Sequence, residues 1–325
     1  MPLSIAAKPH FLSHLLDRGF TAALFLDPDI LVARPLGPLV DATVAHAVVL
    51  TPHLLGYLEG SDAIPREVNI LQCGIYNGGC VGVSARASAR QFLTWWQDRV
   101  QTHCRHDIPE GMHYDQRWLD LVPALFDDVR VVRDADCNVA HWNLPERDVD
   151  SSCRFFHFSG FEPEEPSAVT KYSRRLTVDA LGPVAALFER YMRLLDSEGY
   201  RVTRNWPYAF DSFDNGVAIP DLARQMYQSL DSGAVAAFGD PFQVNGRHSY
   251  FQWLSEPAER RGGPRHAVTR LWESVYRSRP DLRLAFPDVF GADHRAFQSW
   301  IITSGLREHR IPKAFVPLRS QEPLS

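Results

Sequence analysis

The sequence lacks a surplus of positive charge and lacks any long hydrophobic run, and each absence excludes a class of protein. Its 34 lysines and arginines stand against 39 aspartates and glutamates, which gives a formal net charge of −5. No basic surface is therefore expected that would neutralise the phosphates of a nucleic acid. No stretch approaches the roughly 18 to 20 apolar residues that a transmembrane helix needs, so no membrane-spanning segment is expected.

The cysteines are too few and too scattered to predict a disulfide framework or a zinc knuckle. They are Cys73, Cys80, Cys104, Cys137 and Cys153. No two of them form a Cys-x-x-Cys pair, and their number is odd, which favours a reduced setting over a secreted one. The N-terminal segment has no leading basic region, and Lys8 interrupts its apolar residues, so it is not typical of a signal peptide. We therefore expect a soluble, cytoplasmic protein.

Apolar patterning in the first two thirds of the chain alternates between strand and helix. Residues 85–101 repeat apolar side chains at helical spacing, as in an amphipathic helix. This alternation predicts an α/β fold in which helices flank a mixed or parallel sheet. Short apolar runs predict strands at residues 24–26, 30–32, 47–50, 129–132 and 155–158.

The pattern changes near residue 200. An amphipathic helix is predicted from Val184 to Leu195, and beyond Gly199 the sequence indicates helices and loops without strand signals. We therefore predict two domains: residues 1–200, which carry the sheet, and residues 201–325, a mainly helical accessory region.

Two aspartates frame a proline where the first apolar run ends. Asp27 and Asp29, on either side of Pro28, can converge on one divalent cation through their oxygen atoms. The proline fixes the turn between them. A cation held there can neutralise the charge on a departing diphosphate. The alternative is an ordinary surface turn.

A glycine-rich break lies between two strand-like runs further along the chain. Asn77 is followed by Gly78 and Gly79. Glycine lets the backbone approach a ligand closely, and the Asn77 amide offers both donors and an acceptor. A bulge or a turn without a ligand is the alternative.

Two later segments add polar groups. Asp115 and Gln116 can hydrogen-bond sugar hydroxyls, although Asp115 can also serve as a helix cap. His157 follows an apolar strand, and its imidazole can complete a metal site that two aspartates begin, or else be structural. A zinc site was also considered at a group of histidines and a cysteine, but their spacing fits no familiar zinc motif. These residues are His103, Cys104, His106 and His113.

Four of these segments carry a resemblance: those with Asp27 and Asp29, with Asn77 to Gly79, with Asp115 and Gln116, and with His157. In this order they resemble the GT-A glycosyltransferases over roughly residues 5 to 175. The likeness is closest to a bacterial subset of the family 8 type, the retaining nucleotide-sugar transferases. In the resemblance, Asp27 and Asp29 form the D-x-D motif that binds Mn²⁺ or Mg²⁺ and the donor diphosphate. His157 matches the third protein ligand of the metal.

The resemblance implies transfer of a hexose from a nucleotide-diphosphate sugar, most readily a UDP-sugar. The acceptor would be a glycan or a lipid-linked glycan, as in polysaccharide biosynthesis, and the reaction would retain configuration. Another glycosyltransferase module is an expected partner. Asp115 and Gln116 match the pair beside the reacting carbon, and are the implied catalytic residues. The implied donor-binding residues are Lys8, Asn77, Gly79, Asn138, Asn143 and Lys171.

The sequence departs from the family pattern in two places. The family carries a Lys-Pro-Trp segment after its histidine, where this chain is acidic, so Lys171 would have to replace that lysine. The chain ahead of Asp27 is also too short for the family's nucleotide-binding strands, which implies an N-terminally truncated GT-A domain. A non-catalytic or partner-completed remnant of such a domain is therefore the main alternative. A metal-dependent phosphohydrolase is a third hypothesis, and it depends on the aspartates alone.

Overall fold

The computed structural model describes residues 3–147, 149–150, 152–246, 248–258 and 268–317. Contacts within the chain divide it into two units, Met1–Arg204 and Asn205–Ser325. Among the residues described, no helix is both long enough and apolar enough to cross a membrane.

The first unit is built on a mixed sheet, which confirms the predicted α/β class. Its strands are β1 Ala22–Leu26, β2 Ile30–Val32, β3 Val48–Pro52, β4 Tyr76–Ser84, β5 His106–Asp107, β6 Met112–His113, β7 Val129–Val131, β8 Phe155–His157, β9 Ala168–Thr170 and β10 Ser173–Thr177. The main sheet has the order β1-β4-β3-β7, in which β4 is antiparallel to both neighbours and β7 is parallel to β3. The remaining strands form the pairs β2–β8, β5–β6 and β9–β10.

Helices cover this sheet and connect its strands. They are α1 Leu3–Ala6, α2 Lys8–Asp17, α3 Gly37–Ala45, α4 Ala63–Cys73, α5 Ala87–His103, α6 Gln116–Leu119, α7 Val122–Leu125, α8 Ala185–Ser197 and α9 Tyr200–Thr203. The helix predicted at 85–101 is α5, and it buries Phe92, Trp96 and Val100 in the core beneath the sheet. These side chains share one face because they recur at intervals of about one helical turn.

The central strand β4 is buried along almost its whole length. Its glycine content lets neighbouring elements approach closely: a Cβ at Gly82 would lie 2.5 Å from Oγ1 of Thr43 and 3.1 Å from Cβ of Val49. Thr43 belongs to α3, and its hydroxyl donates to the carbonyl of Leu39 at 2.8 Å. Helix α3 therefore packs against bare backbone at this point of the sheet.

A small strand pair joins distant parts of the chain beside the main sheet. Strand β2 follows β1 after a short turn and pairs with β8 antiparallel, so that Ile30 lies opposite His157. The runs at 30–32 and 155–158 were predicted as strands, but their pairing with each other could not be read from apolar pattern alone. This pairing brings the end of β8 to the turn between β1 and β2.

The second unit is helical where the structure describes it. Its helices are α10 Asp221–Gln228, α11 Ser232–Phe238, α12 Tyr250–Ser255, α13 Arg270–Ser278, α14 Pro280–Ala285, α15 His294–Trp300 and α16 Leu306–Glu308. A π-helical turn, Ile301–Gly305, connects the last two. Trp272, Phe297 and Leu254 are fully buried in its core, and the indole of Trp272 donates to the carbonyl of Phe315 at 2.8 Å.

Substitution of Gly82 tests the close packing of α3 on β4. Gly82→Ala should lower the free energy of unfolding by about 1–3 kcal/mol, because the added methyl overpacks the contact with Thr43. Urea unfolding followed by circular dichroism measures the change. Gly37→Ala is the matched control, since a Cβ at Gly37 meets no atom within 4 Å. Equal effects of the two substitutions would contradict this account.

Candidate metal centre

The turn that carries the two aspartates is fixed by backbone hydrogen bonds. The amide of Asp27 donates to the carbonyl of Gly79 at 2.8 Å, which extends the pairing of β1 with β4 by one residue. The amide of Ile30 donates back to the carbonyl of Asp27 at 3.1 Å and closes the turn around Pro28. The positions of both carboxylates therefore depend on the sheet.

His157 reaches the same place through the β2–β8 pair. The amide of Phe158 donates to the carbonyl of Asp29 at 2.9 Å, so the end of β8 is tied to the turn. Nε2 of His157 lies 3.0 Å from Oδ1 of Asp29 and 3.9 Å from Oδ2 of Asp27. The imidazole is 4% exposed, and its Nδ1 has no hydrogen-bond partner among the described residues.

Asp27, Asp29 and His157 together form a group that can hold a metal ion. One ligand atom from each lies within 4.8 Å of the others. Two carboxylate oxygens and one imidazole nitrogen suit a divalent cation such as Mn²⁺. The carboxylate of Asp29 is the most open of the three, with 41% of its side chain exposed. Solvent and ligands can therefore approach from its side.

The charge state of Asp29 also suits a cation ligand. Burial alone raises its pKa, but the hydrogen bond and the charge of His157 outweigh burial and hold the pKa of Asp29 below its ordinary value. The carboxylate is therefore ionised at neutral pH.

Gly79 makes the convergence of these side chains sterically feasible. A Cβ at this position would lie 2.6 Å from Oδ2 of Asp27, 2.6 Å from Cε1 of His157 and 2.8 Å from Oδ1 of Asn77. Any side chain here would displace one of the three. The sequence predicted a donor-binding role for Gly79, and its contacts show that it makes room for the metal-binding group.

Lys8 lies directly behind Asp27. Its ammonium contacts Oδ1 of Asp27 at 3.1 Å, Oδ2 of Asp115 at 3.3 Å and the carbonyl of Gly78 at 3.0 Å. Burial disfavours the charged ammonium, yet Asp115 and Asp27 outweigh burial and raise the pKa of Lys8 above its ordinary value. The three N–H donors of the ammonium are thus all used within the protein, and contact of Lys8 with the donor sugar nucleotide stays a prediction.

Asp115 and Gln116 lie behind strand β4 and hold it in place. Burial raises the pKa of Asp115 to about 6, against the attraction of Lys8. The side-chain oxygen of Gln116 accepts from the amide of Gly78 at 2.8 Å, and its nitrogen donates to the carbonyl of Cys73 at 2.9 Å. Contact of either residue with a donor sugar stays a prediction.

Asn77 connects this support to a buried histidine. Its Oδ1 accepts from the amide of Gly79 at 3.1 Å, and its Nδ2 lies 3.2 Å from both Oε1 of Gln116 and Nε2 of His53. His53 in turn contacts the carbonyl of Ile75 through Nδ1 at 3.3 Å. Burial lowers the pKa of His53 to about 3, so His53 is neutral and accepts from Asn77.

Three further residues were expected to bind the donor. Asn143 is fully buried and its amide donates to the carbonyls of His53 and Asn138, both at 2.9 Å, so it holds two loop segments together. Asn138 is also fully buried, and Nδ2 and Oδ1 of its side chain have no hydrogen-bond partner among the described residues. Lys171 is half exposed and pairs with Glu162 at 3.2 Å. Donor binding by Asn138, Asn143 and Lys171 stays a prediction.

Trp142 is a neighbour of the metal-binding group that the sequence analysis did not single out. Its ring lies edge-on to His157 and to His53, with centroid distances of 5.3 and 5.0 Å. A tryptophan beside a histidine in a loop has no distinctive spacing, so the sequence did not separate this position from the core. The ring excludes water from one side of His157.

Comparisons with known proteins give partial relatives. No family model matches the chain. Over 173 residues, 47% of this chain, it is 25% identical to the uncharacterized protein YfnF of Bacillus subtilis, and it is 25% identical to YfnD of the same organism over 169 residues. The chain spans about half the length of these curated relatives, 55% and 52% respectively.

One solved structure is also similar, at a low level. The glycosyltransferase GlyE of Streptococcus pneumoniae has a TM-score of 0.35 and 13% sequence identity, covering 70% of this chain and 56% of GlyE. A likeness of this size assigns neither fold nor activity, so the functional argument depends on the residues of the site.

Gly79→Ala tests whether the metal-binding group needs an absent side chain at this position. We expect the affinity for Mn²⁺ to fall at least about tenfold, because the methyl would displace Asp27 or His157 from the ligand positions. Isothermal titration calorimetry with Mn²⁺ measures the change, and Gly37→Ala serves as the control. Unchanged affinity in Gly79→Ala would show that the cation is bound elsewhere.

His53 should make the protein sensitive to acid. Its folded pKa of about 3 lies below the unfolded value of 6.5, so the unfolded chain binds the extra proton between these values and stability falls as the pH decreases through that window. Between pH 7 and pH 5 the loss due to His53 should be about 2 kcal/mol. Urea unfolding at both pH values should show a smaller difference for His53→Gln than for the wild type.

The exposed histidine His14 provides the control for this measurement. His14→Gln should leave the difference in unfolding free energy between pH 7 and pH 5 as in the wild type. If His53→Gln shows the full wild-type difference as well, the acid sensitivity comes from other groups.

Proposed function

We propose that the protein is a metal-dependent glycosyltransferase of the GT-A type, close to the family 8 transferases. It moves a hexose from a nucleotide-diphosphate sugar, most readily a UDP-sugar, to a glycan or lipid-linked glycan, with retention. The observation that carries this proposal is the convergence of Asp27 and Asp29, from one turn, with His157, from a strand far away in the sequence. An ordinary Asp-Pro-Asp surface turn has no reason to meet a buried histidine.

The chemistry follows from the residues around the group. A divalent cation bound by Asp27, Asp29 and His157, Mn²⁺ or Mg²⁺, would stabilise the negative charge of the departing diphosphate. In the transfer, the bond between the anomeric carbon and the diphosphate oxygen breaks, and the nucleoside diphosphate keeps the electron pair. A new bond forms between that carbon and the acceptor oxygen, whose proton passes to solvent.

Lys8 keeps Asp27 in position for this role. Its ammonium occupies one oxygen of Asp27, at 3.1 Å, and leaves Oδ2 on the side of His157. Asp115 offsets the same ammonium from behind, at 3.3 Å. We propose that Lys8, Asp115 and Gln116 act by positioning, and that Asn77 and Gly79 shape the wall on which the donor sugar lies.

The proposal also assigns a role to each part of the chain. Residues 1–200 form the transferase domain and residues 201–325 an accessory region, and another glycosyltransferase module can supply further donor contacts.

Titration of the protein with UDP, with and without Mn²⁺, tests the proposal. UDP should bind at least about tenfold more tightly with Mn²⁺ than without it, because the cation bridges the diphosphate to the protein. Asp29→Asn should abolish that difference, since it removes the most accessible anionic ligand. Calorimetry reports both affinities, and a donor-sugar screen for released UDP would follow.

Asp17→Asn is the matched control, because Asp17 is an exposed carboxylate that pairs with Arg90 on the surface. It should behave as the wild type. UDP binding with an affinity that depends neither on Mn²⁺ nor on Asp29 would contradict the metal-dependent reaction. Absence of any UDP binding would instead favour the non-catalytic or partner-completed remnant.

A further inference from the structure

A pocket in the first unit has Trp142 among its lining residues. Its volume is about 270 Å³, near the lower end of the range of ligand pockets. Helix α4, the loop at residues 141–142 and strand β10 all contribute to its lining. A space of this size accommodates one small ligand, such as a single sugar unit, rather than a chain of them.

The charged residues of the lining are Arg66, from α4, and Arg175, from β10. The charge of Arg175 adds to burial in lowering the pKa of Arg66, so the two guanidiniums repel each other across the pocket. Asp62 offsets both from outside the lining, at 3.1 Å from Arg175 and 4.0 Å from Arg66. Two like charges that meet at one pocket are a common arrangement for binding an anion.

Two other carboxylates, Glu67 and Glu146, also act on Arg66 through their charge, but each makes hydrogen bonds of its own. Glu67 accepts from the amide of Leu58 at 2.8 Å. Glu146 accepts from the amide of Leu55 at 3.0 Å and lies 3.6 Å from the buried Arg147. Arg66 donates one hydrogen bond to the carbonyl of Trp142, at 3.2 Å, and a guanidinium has further donors available.

The rest of the lining suits a sugar. Asn69 and Ser173 offer polar groups, while Trp142 and Tyr172 offer aromatic surfaces. Gly160 allows Tyr172 to lie over it, since a Cβ there would meet the Tyr172 ring at 2.4 Å and Gly160 has a φ of +69°. The pocket thus combines flat apolar walls with two fixed cations.

We propose that this pocket binds a saccharide that bears a carboxylate or a phosphate, and that this saccharide is the acceptor of the transfer. The acceptor role rests on the proposed function, whereas the binding does not. Trp142 links the two sites, because its ring lines the pocket and contacts His157 at a centroid distance of 5.3 Å. An acceptor held here would lie beside the metal-binding group.

Ligand-observed NMR titration with matched sugars tests the selectivity. D-glucuronate and D-glucose 6-phosphate should bind the wild type at least about tenfold more tightly than D-glucose, because each adds a charge-assisted contact with the guanidiniums. The sugar that binds more tightly shows whether the pocket prefers a carboxylate or a phosphate. Equal affinity for D-glucose, or no binding of either anionic sugar, would overturn the inference without any variant.

Arg175→Gln and Arg174→Gln form a matched pair on one strand. Arg175 lines the pocket, whereas Arg174 is not among its lining residues; Arg174 is exposed and pairs with Glu165 at 3.1 Å. Arg175→Gln should weaken the anionic sugar about tenfold, Arg175→Lys should weaken it less, and Arg174→Gln should change it less than about twofold. Equal losses in Arg174→Gln and Arg175→Gln would contradict a specific site.

The same variants separate this inference from the proposed function. Arg175→Gln should bind UDP with Mn²⁺ as the wild type does, because Arg175 is not part of the metal-binding group. Metal-dependent UDP binding without selectivity for anionic sugars would overturn the pocket alone. Selective binding of anionic sugars without UDP binding would support the pocket as a sugar-binding site but overturn its role as an acceptor site.

Discussion

The carboxylates of Asp27, Asp29 and Asp115 lie close together in the first unit, and the buried ammonium of Lys8 stabilises this arrangement. Lys8 contacts Asp27 and Asp115 and caps the carbonyl of Gly78. Without a cation at this place, a carboxylate as buried as Asp115 would be neutral or would leave the interior. The ammonium therefore determines where β1, β4 and the start of α6 meet, and the geometry around Asp29 and His157 depends on that meeting point.

The same interaction divides the site into two sides with different tasks. Behind Gly78 and Gly79, the polar atoms of Asn77, Gln116 and Lys8 are all used within the protein. In front, Asp29 is partly exposed and Nε2 of His157 faces the carboxylates. A preorganised support with an accessible ligand set is the arrangement that a reacting charge requires, because no reorganisation of the support is needed.

Particular elements show how far sequence analysis reached. Strands β1, β3 and β7 of the main sheet and helix α5 were predicted, since each carries a clear apolar pattern. Strand β4 was expected as two strand-like runs around a glycine-rich break, and the structure corrects this to one continuous strand, Tyr76–Ser84, because glycine also fits a strand that neighbouring elements approach closely. The pairs β5–β6 and β9–β10 were missed, because their strands are short and mostly polar and depend on turns. The contacts of Lys8 and Asn143 within the protein could not be read from the sequence: a side chain's type indicates what it can bind, but only its surroundings determine which partner it finds.

By itself, the sequence determined the α/β class, the two aspartates around Pro28 and the histidine after a distant strand. These are local properties, set by apolar period and by residue chemistry. Only the tertiary structure decided that the β2–β8 pair brings His157 to Asp29, that Gly79 leaves room for both, and that Arg66 and Arg175 share a pocket. Such contacts join segments far apart in sequence, and a one-residue shift in strand register would separate them.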